Sequence, residues 1–183
     1  MSYYNRHHPN LFHTTIFAVC LILPLVITWP SLCYNPHTVV YVIPEKEIQQ
    51  EISSRVDFLQ KYTGLPKKLL LTLERECTLH QIDPFLFVAL METESNFKAE
   101  ARSELGYYGL SQIPWDIPWT DLNIIIGVRI FAEKVKKSKG NIREAIKRYK
   151  GFSTNNANSW KATKKVIERY SHLKKLYEKQ VNT

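Results

Sequence analysis

A long stretch without charged side chains constrains the fold of this chain more than any other feature. No Asp, Glu, Lys or Arg occurs between Arg6 and Glu45, and residues 14–29 within that gap are almost wholly apolar. Residues 11–32 reach the roughly 20 residues that a helix needs to cross a bilayer. A helix that is apolar on every side is not stable alone in water, so we predict a membrane segment at this end of the chain.

Two kinds of membrane segment fit residues 11–32: an uncleaved anchor, and a secretory signal that is removed after export. The stretch is long for a signal, and no Ala-x-Ala cleavage site follows Trp29, so an anchor is favoured. Arg6 is the nearest positive charge, which places the rest of the chain outside the cytoplasm by the positive-inside rule. We divide the chain into an anchor or signal segment at 1–33, a linker at 34–44 and a folded domain at 45–183.

Helical periodicity dominates this domain. Apolar residues recur at steps of three and four, first from Ile48 to Leu59 and last, in a lysine-rich stretch, from Val166 to Tyr177. This is the period of an amphipathic helix, and no alternation is long enough for a sheet. We therefore predict a mostly α fold.

Capping residues predict where three of the helices begin. The Asp-Pro pair at 83–84 combines an N-cap oxygen with proline at the first helical position, which predicts a third helix over residues 84–97. Asp121 is predicted to cap a fourth helix. Asn141 and Glu144 have the spacing of a capping box for a fifth. The segment between the third and fourth helices contains two glycines and two prolines and is predicted to be irregular.

Positive charge is concentrated at the C-terminal end. Residues 131–183 carry 15 Lys and Arg against 4 Asp and Glu, whereas residues 1–130 carry 10 against 13. Such a region indicates either an anionic partner or a solvated lysine-rich face. Three cysteines are too few for a disulfide scaffold, and no zinc-ligand spacing occurs, so we expect no metal. Cys33 and Cys77 could pair outside the cytoplasm, although we expect no bond.

One carboxylate of the third helix falls on an apolar face. At about 100° per residue, Glu94 shares a face with Phe87, Leu90 and Met91. Glu92 lies roughly 160° away and is expected to face solvent or the helix end. Burial among apolar side chains disfavours the charged form of a carboxyl, and a carboxyl that keeps its proton can act as a general acid. Alternatively, Glu94 snorkels to water or pairs with a lysine or arginine.

The residues that follow Glu94 form an ordered motif. Residues 94–113 read ESNFKAEARSELGYYGLSQI. This run resembles the lytic transglycosylase family of the goose-type lysozyme superfamily, in which Glu-Ser-x-Phe, Ala-x-Ser and Gly-Ala-x-Gly-Leu-Met-Gln occur at fixed spacing. The residues that match without a gap are Glu94, Ser95, Phe97, Ala101, Ser103, Gly106, Gly109, Leu110 and Gln112.

Two downstream motifs extend the resemblance over roughly residues 65–170. Asn123 and Gly127 resemble the family's Asn-x-x-x-Gly helix. Ala145, Tyr149 and Gly151 resemble its Ala-x-x-Tyr-Asn-x-Gly motif, with the segment from the motif tyrosine, Tyr149, to Gly151 one residue shorter than in the family.

Three residues depart from the family pattern. Tyr107 stands where the family usually has alanine, Ser111 replaces a methionine, and Lys150 replaces the asparagine after Tyr149. We expect these changes to alter the substrate groove and to leave the acid untouched.

The resemblance implies a lysozyme-like helical domain that cleaves peptidoglycan without a cofactor or a metal. Glu94 would protonate the glycosidic oxygen between N-acetylmuramic acid and N-acetylglucosamine. The resulting carboxylate would then take the proton of the muramoyl 6-hydroxyl, which closes a 1,6-anhydro ring without consuming water. One residue would thus act first as acid and then as base.

The resemblance also implies roles for four substrate-binding residues around Glu94. Ser95 and Ser103 would hydrogen-bond the acid or the sugar, or would cap the local helix and turn instead. Gln112 would offer its amide to the N-acetyl group or position the acid. Tyr149 would place its hydroxyl near Glu94, or would be a core aromatic.

Further side chains are candidates for sugar stacking or for a second carboxylate. The aromatic candidates are Tyr107, Tyr108, Trp115 and Trp119. The carboxylate candidates are Glu100, Glu104, Asp116 and Asp121, and no spacing singles out one of them.

Two rival functions stay open. A hydrolytic muramidase of the same fold would need a second carboxylate, such as Asp116 or Asp121, to hold the attacking water. A non-catalytic module would bind glycan strands without cutting them.

The partners that we expect are peptidoglycan glycan strands and the membrane, contacted through residues 11–32, with no nucleic acid. A role beside secretion or conjugation machinery in the cell envelope stays open. The expected location is the bacterial inner membrane, with the domain facing the periplasm or cell wall, or the exterior after signal cleavage.

Overall fold

The computed structural model describes residues 44–152 and 156–182, and these residues form six helices. The helices are α1 (Glu45–Thr63), α2 (Lys67–Leu79), α3 (Pro84–Ser95), α4 (Thr120–Lys137), α5 (Ile142–Tyr149) and α6 (Ala157–Val181). Over the described ranges the only β-type pairing consists of two isolated bridges in the α3–α4 segment. The prediction of a mostly α fold is confirmed.

The predicted membrane segment at residues 11–32 and Cys33 lie outside the described residues. Cys77 is buried and its thiol is free. In the part of the chain that the structure describes, no helix is long and apolar enough to cross a membrane.

Helix α3 is the central element of the domain. It packs against α2 and α6. These two helices are also connected through α4 and α5, because α2 packs against α4, α4 against α5, and α5 against α6. Every residue from Pro84 to Met91 is buried, so the first two turns of α3 face protein on all sides. A helix that is apolar all round belongs in a core. The apolar face assigned to Glu94 is therefore one part of a helix that is buried on all sides over its first two turns.

The two ends of α3 are fixed by side chains and by backbone conformation. Asp83 caps the N-terminus, where its carboxylate accepts a hydrogen bond from the Phe85 amide at 2.9 Å. The hydroxyl of Tyr170 in α6 donates to the same carboxylate at 2.7 Å. Asn96 adopts a left-handed conformation with φ 51°, which ends the helix at Ser95. The predicted extension to Phe97 is therefore wrong by two residues.

Helices α4 and α5 begin close to the predicted positions. Asn141 caps α5 as predicted, with its side chain accepting from the Glu144 amide at 3.1 Å. The cap of α4 is Trp119 rather than Asp121, because the helix begins at Thr120. Asp121 lies within the first turn, where its negative charge suits the positive end of the helix dipole.

Candidate active site

A cavity of about 270 Å³ opens where the end of α3 meets the end of α5 and the α3–α4 segment. We call it the acid cavity. Its lining residues are Glu94, Ser103, Leu105, Tyr107, Gln112, Tyr149, Lys150 and Gly151. Of the four residues that were predicted to surround Glu94, Ser103, Gln112 and Tyr149 line this cavity, and Ser95 does not.

A second cavity of about 340 Å³ adjoins the first and shares four lining residues with it. We call it the aromatic cavity, because Tyr107, Trp115 and Tyr149 line it. It also carries the cations Lys134 and Arg148. Because the two cavities share lining residues, we refer to them together as the groove.

Glu94 lies in the last turn of α3, with 17% of its side chain exposed. Its Oε1 atom lies 2.6 Å from Nζ of Lys150, which also contacts Thr93 Oγ1 at 3.4 Å. An ammonium at this distance stabilises the ionised carboxylate. The alternative in which Glu94 pairs with a lysine is thus the one observed. The expectation that Lys150 leaves the acid untouched is wrong.

Ser95 does not face the groove. Its buried hydroxyl lies 3.1 Å from the Met91 carbonyl oxygen and 2.9 Å from the Leu110 carbonyl oxygen, and it donates to these backbone acceptors. Of the two roles that were open for Ser95, the structure therefore favours the local one. Its contact with Leu110 joins the end of α3 to the loop that carries Gln112.

That loop is held against α4 by Asn123. The Asn123 side chain accepts a hydrogen bond from the Ser111 amide and donates one to the Tyr108 carbonyl oxygen, both at 2.9 Å. Gly109 has φ 76°, and a Cβ atom there would collide with the amide of Asn123. Glycine is required at this position both by the backbone conformation and by the close approach of α4.

Gln112 lines both cavities and has φ 48°. Its side-chain nitrogen donates to the carbonyl oxygens of Ala101 at 3.2 Å and Gly109 at 3.0 Å. The amide therefore secures its own loop. Its carbonyl oxygen is the group that it can present to a ligand.

Tyr149 connects the groove to the core. Its ring packs edge-on against Phe131, with the centroids 5.7 Å apart. Its hydroxyl donates to the Ser111 carbonyl oxygen at 2.7 Å. Burial, and then the negative charge of Glu94, raise the pKa of Tyr149 well above its ordinary value. Tyr149 thus stays a neutral donor, and its proton is directed to the loop rather than to the acid.

Ser103 and the exposed aromatic residues lie at the rim of the groove. The Ser103 hydroxyl accepts a hydrogen bond from the Tyr107 amide at 3.0 Å, so it has the second of its two open roles, that of a turn cap, while it also lines the acid cavity. Tyr107 is 39% exposed and Trp115 is 54% exposed, and both line the aromatic cavity. They are available for sugar stacking. Tyr108 instead packs beneath the guanidinium of Arg102, whose Cζ atom lies 5.2 Å from the centre of the Tyr108 ring.

None of the four candidate second carboxylates lines the acid cavity, although Glu104 lies between two lining residues, Ser103 and Leu105. Asp116 pairs with Arg102 at 2.9 Å and, with Glu100, lines a separate pocket. Asp121 accepts from the Leu122 amide. Among the described residues, Glu94 is the only carboxylate that lines the acid cavity.

Glu92 was expected to face solvent or the helix end; it lies in the last turn of α3, but it packs against other helices rather than facing solvent. Its side chain is 14% exposed and lies 3.2 Å from the guanidinium of Arg169 in α6. The hydroxyl of Tyr62 in α1 donates to it at 2.8 Å. Because α3 is covered on both sides, the face opposite Glu94 meets other helices rather than water.

Ser111 is the third departure from the family pattern, and it does not reach the groove. It is 1% exposed and packs against Gly127 of α4. Sequence reasoning placed Lys150 in the groove but did not predict its contact with Glu94. Its replacement of a family asparagine beside Tyr149 was the signal that marked it.

No cluster of three or more His, Cys, Asp or Glu residues able to hold a metal ion occurs within residues 44–152 and 156–182. Comparisons of the chain with protein-family models, with curated proteins and with solved structures found no match.

Proposed function

We propose that this protein is a peptidoglycan lytic transglycosylase with a lysozyme-like helical domain. Residues 11–32 would hold the domain at the bacterial inner membrane, facing the periplasm or cell wall. Its product would be glycan with 1,6-anhydromuramoyl ends.

The convergence of distant motif residues on one cavity supports this proposal most directly. Glu94 comes from the end of α3, Gln112 from the following loop and Tyr149 from the end of α5, yet all three line the acid cavity. The Asn123 and Gly127 pair lies behind that loop and holds it in place. Each element of the resemblance thus contributes to the same groove.

The distribution of carboxylates favours a one-carboxylate reaction. A hydrolase that activates water commonly needs a second carboxylate several ångströms from the acid. Of the described residues that line the groove, the nearest candidate is Glu133, which belongs to the aromatic cavity and pairs with Lys137. A reaction in which Glu94 serves both as acid and as base needs no such partner.

The proposed reaction consists of two proton transfers at Glu94. In the first, its proton passes to the glycosidic oxygen, which takes the electron pair of the breaking bond to the muramoyl C1. In the second, the ionised Glu94 takes the proton of the 6-hydroxyl while that oxygen bonds to C1. The enzyme regains its starting protonation state, and no water is consumed.

The ion pair with Lys150 opposes the first of these steps. The Nζ atom of Lys150 lies 2.6 Å from Oε1 of Glu94 and so occupies the side of the carboxyl group that would have to contact the glycosidic oxygen. Lys150 therefore has to withdraw from Glu94 before the bond is cleaved.

The deciding experiment is analysis of the product ends. The full chain, in detergent, is incubated with purified cell-wall sacculi, and the released fragments are identified by mass spectrometry. We expect 1,6-anhydromuramoyl ends, which are lighter than reducing ends by one water. Reducing ends would establish the hydrolytic muramidase instead. Binding to sacculi without release of fragments would establish the non-catalytic module.

A further inference from the structure

We propose that Lys150 is a specificity-determining residue that binds a carboxylate of the glycan and, in doing so, leaves Glu94. The proposal rests on the proposed function for the identity of the glycan. The remainder of the proposal is argued from the position and the contacts of Lys150.

Lys150 is placed to exchange one carboxylate for another. It is the C-cap residue of α5, so its backbone is fixed by the helix end, while its long side chain reaches across to α3. An ammonium has three donors. Contacts with Glu94 at 2.6 Å and Thr93 at 3.4 Å involve two of them. The side chain is 13% exposed and lines the acid cavity, so a ligand in the cavity can reach it.

Over the described residues, the acid cavity contains one cation, Lys150, to which an acidic ligand can bind. Its charged lining groups are Glu94 and Lys150, and the other residues of the lining are neutral at pH 7. A ligand carboxylate competes with Glu94 for a single ammonium. A neutral sugar has no charge with which to draw Lys150 away, so the ion pair stays closed.

Transfer of Lys150 to the ligand would also prepare Glu94 for its chemical role. Once the cation has moved, Glu94 loses its stabilising partner and faces an additional negative charge. The Glu94 carboxyl group is then no longer covered by the ammonium and can contact the glycan in the acid cavity. Binding of an acidic glycan would in this way be coupled to release of Glu94 for its contact with the glycosidic oxygen.

Two sources of carboxylate occur in peptidoglycan: the lactyl group of a muramoyl residue without a peptide, and the stem peptide. Binding of defined disaccharides separates them. The probes are N-acetylglucosaminyl-N-acetylmuramic acid, its lactyl methyl ester, and the same disaccharide with the lactyl group amidated by the first two stem residues. Affinities are measured by titration calorimetry with the full chain in detergent.

We expect the unsubstituted protein to bind at least one acidic probe more tightly than the neutral ester. Glu94→Gln should increase the affinity for that probe by about tenfold, because the competing carboxylate is gone. Lys150→Met and Lys150→Gln should abolish the preference, with the affinity for the ester retained as the measure of an intact fold. Lys164→Met, at a lysine of α6 that is 74% exposed, is the control and should keep the preference.

An equal preference for the acidic probe in Lys150→Gln and in the unsubstituted protein would overturn the proposal. So would weaker binding of the acidic probe to Glu94→Gln. Because binding is measured without turnover, the two proposals can fail separately. Release of anhydro ends with no role for Lys150 in binding would leave the proposed function standing. Acid-selective binding through Lys150 without any cleavage would leave only the specificity proposal standing.

Discussion

The Nζ atom of Lys150 lies 2.6 Å from Oε1 of Glu94, although 56 positions separate the two residues in the chain. Their side chains are 13% and 17% exposed, so water screens the pair only in part. The contact joins the C-terminal ends of α3 and α5 across the acid cavity. The partner of Glu94 is therefore a side chain that lines the same cavity.

Replacement of the acid should remove activity without unfolding the domain. Glu94→Gln keeps the size of the side chain and a hydrogen-bonding head, but it cannot donate a proton and take it back. A positioned general acid or base contributes about 10²- to 10⁴-fold to a rate, and here one group serves both steps. We expect release of fragments from sacculi to fall by at least this factor, with an unchanged circular dichroism spectrum.

The matched control for Glu94→Gln is Glu168→Gln on α6. Glu168 is 62% exposed and pairs only with a neighbouring lysine on the same helix face. It should release fragments at the rate of the unsubstituted protein. Glu92 is unsuitable as a control, because its contacts with Tyr62 and Arg169 hold α1 and α6 against α3. Normal cleavage by Glu94→Gln would refute the assignment of the acid.

Two glycines with the same backbone conformation allow the cost of backbone strain to be measured apart from the cost of a steric clash. Gly106 and Gly109 both have φ 76°, where a Cβ atom costs about 1–2 kcal/mol. A Cβ at Gly106 meets no atom of the described residues within 4 Å, whereas one at Gly109 comes within 2.7 Å of Asn123 Cγ. We expect Gly109→Ala to lower the free energy of unfolding by about 1–3 kcal/mol more than Gly106→Ala does. Urea denaturation measures the free energy of unfolding of both variants. Equal losses would mean that α4 moves away from the added Cβ atom without a cost in stability.

A buried ion pair between α1 and α2 should contribute strongly to stability. Arg55 binds Glu74 through two hydrogen bonds of 2.7 and 2.9 Å, and the Glu74 side chain is 3% exposed. Arg55→Met would leave that carboxylate without its bidentate partner, at a cost of about 3–5 kcal/mol. The control is Lys67→Met at the exposed Lys67–Asp57 pair, where we expect about 0–1 kcal/mol. Similar losses in thermal or urea denaturation of the two variants would contradict this expectation.

The contact between Tyr62 and Glu92 should make stability depend on alkaline pH. Partial burial, and then the hydrogen bond to Glu92, raise the pKa of Tyr62 to about 12. A group whose pKa is higher in the folded state stabilises fully below its unfolded pKa, which is about 10 for tyrosine. Its contribution is lost as the pH rises from about 10 through 12. Tyr62→Phe removes this ionisation.

The measurement for Tyr62 is the free energy of unfolding at pH 8 and at pH 11. The difference between the unsubstituted protein and Tyr62→Phe should be larger at pH 8 and should shrink at pH 11. A constant difference at the two pH values would show that another group is responsible for any alkaline loss of stability.

Local signals explain how much of this molecule can be predicted from its sequence. Asp83 with Pro84 and Asn141 with Glu144 mark helix starts that the structure confirms, because a cap depends only on the next two or three residues. The motif that begins at Glu94 likewise identifies the acid cavity. Its glycine at 109 is explained by the close approach of Asn123.

Tertiary contacts decided what these signals could not. A helical wheel places Glu92 and Glu94 on opposite faces but does not say what covers each face, and α3 turned out to be covered on both. Whether Ser95 faces a sugar or the carbonyl oxygen of Leu110 depends on how the loop folds back. The sequence by itself determined the helices and the position of Glu94 near the end of α3, since periodicity, caps and motif spacing act over a few residues. Only the packing of α5 against the rest of the domain decided that Lys150 reaches Glu94, because that contact depends on the relative placement of distant segments.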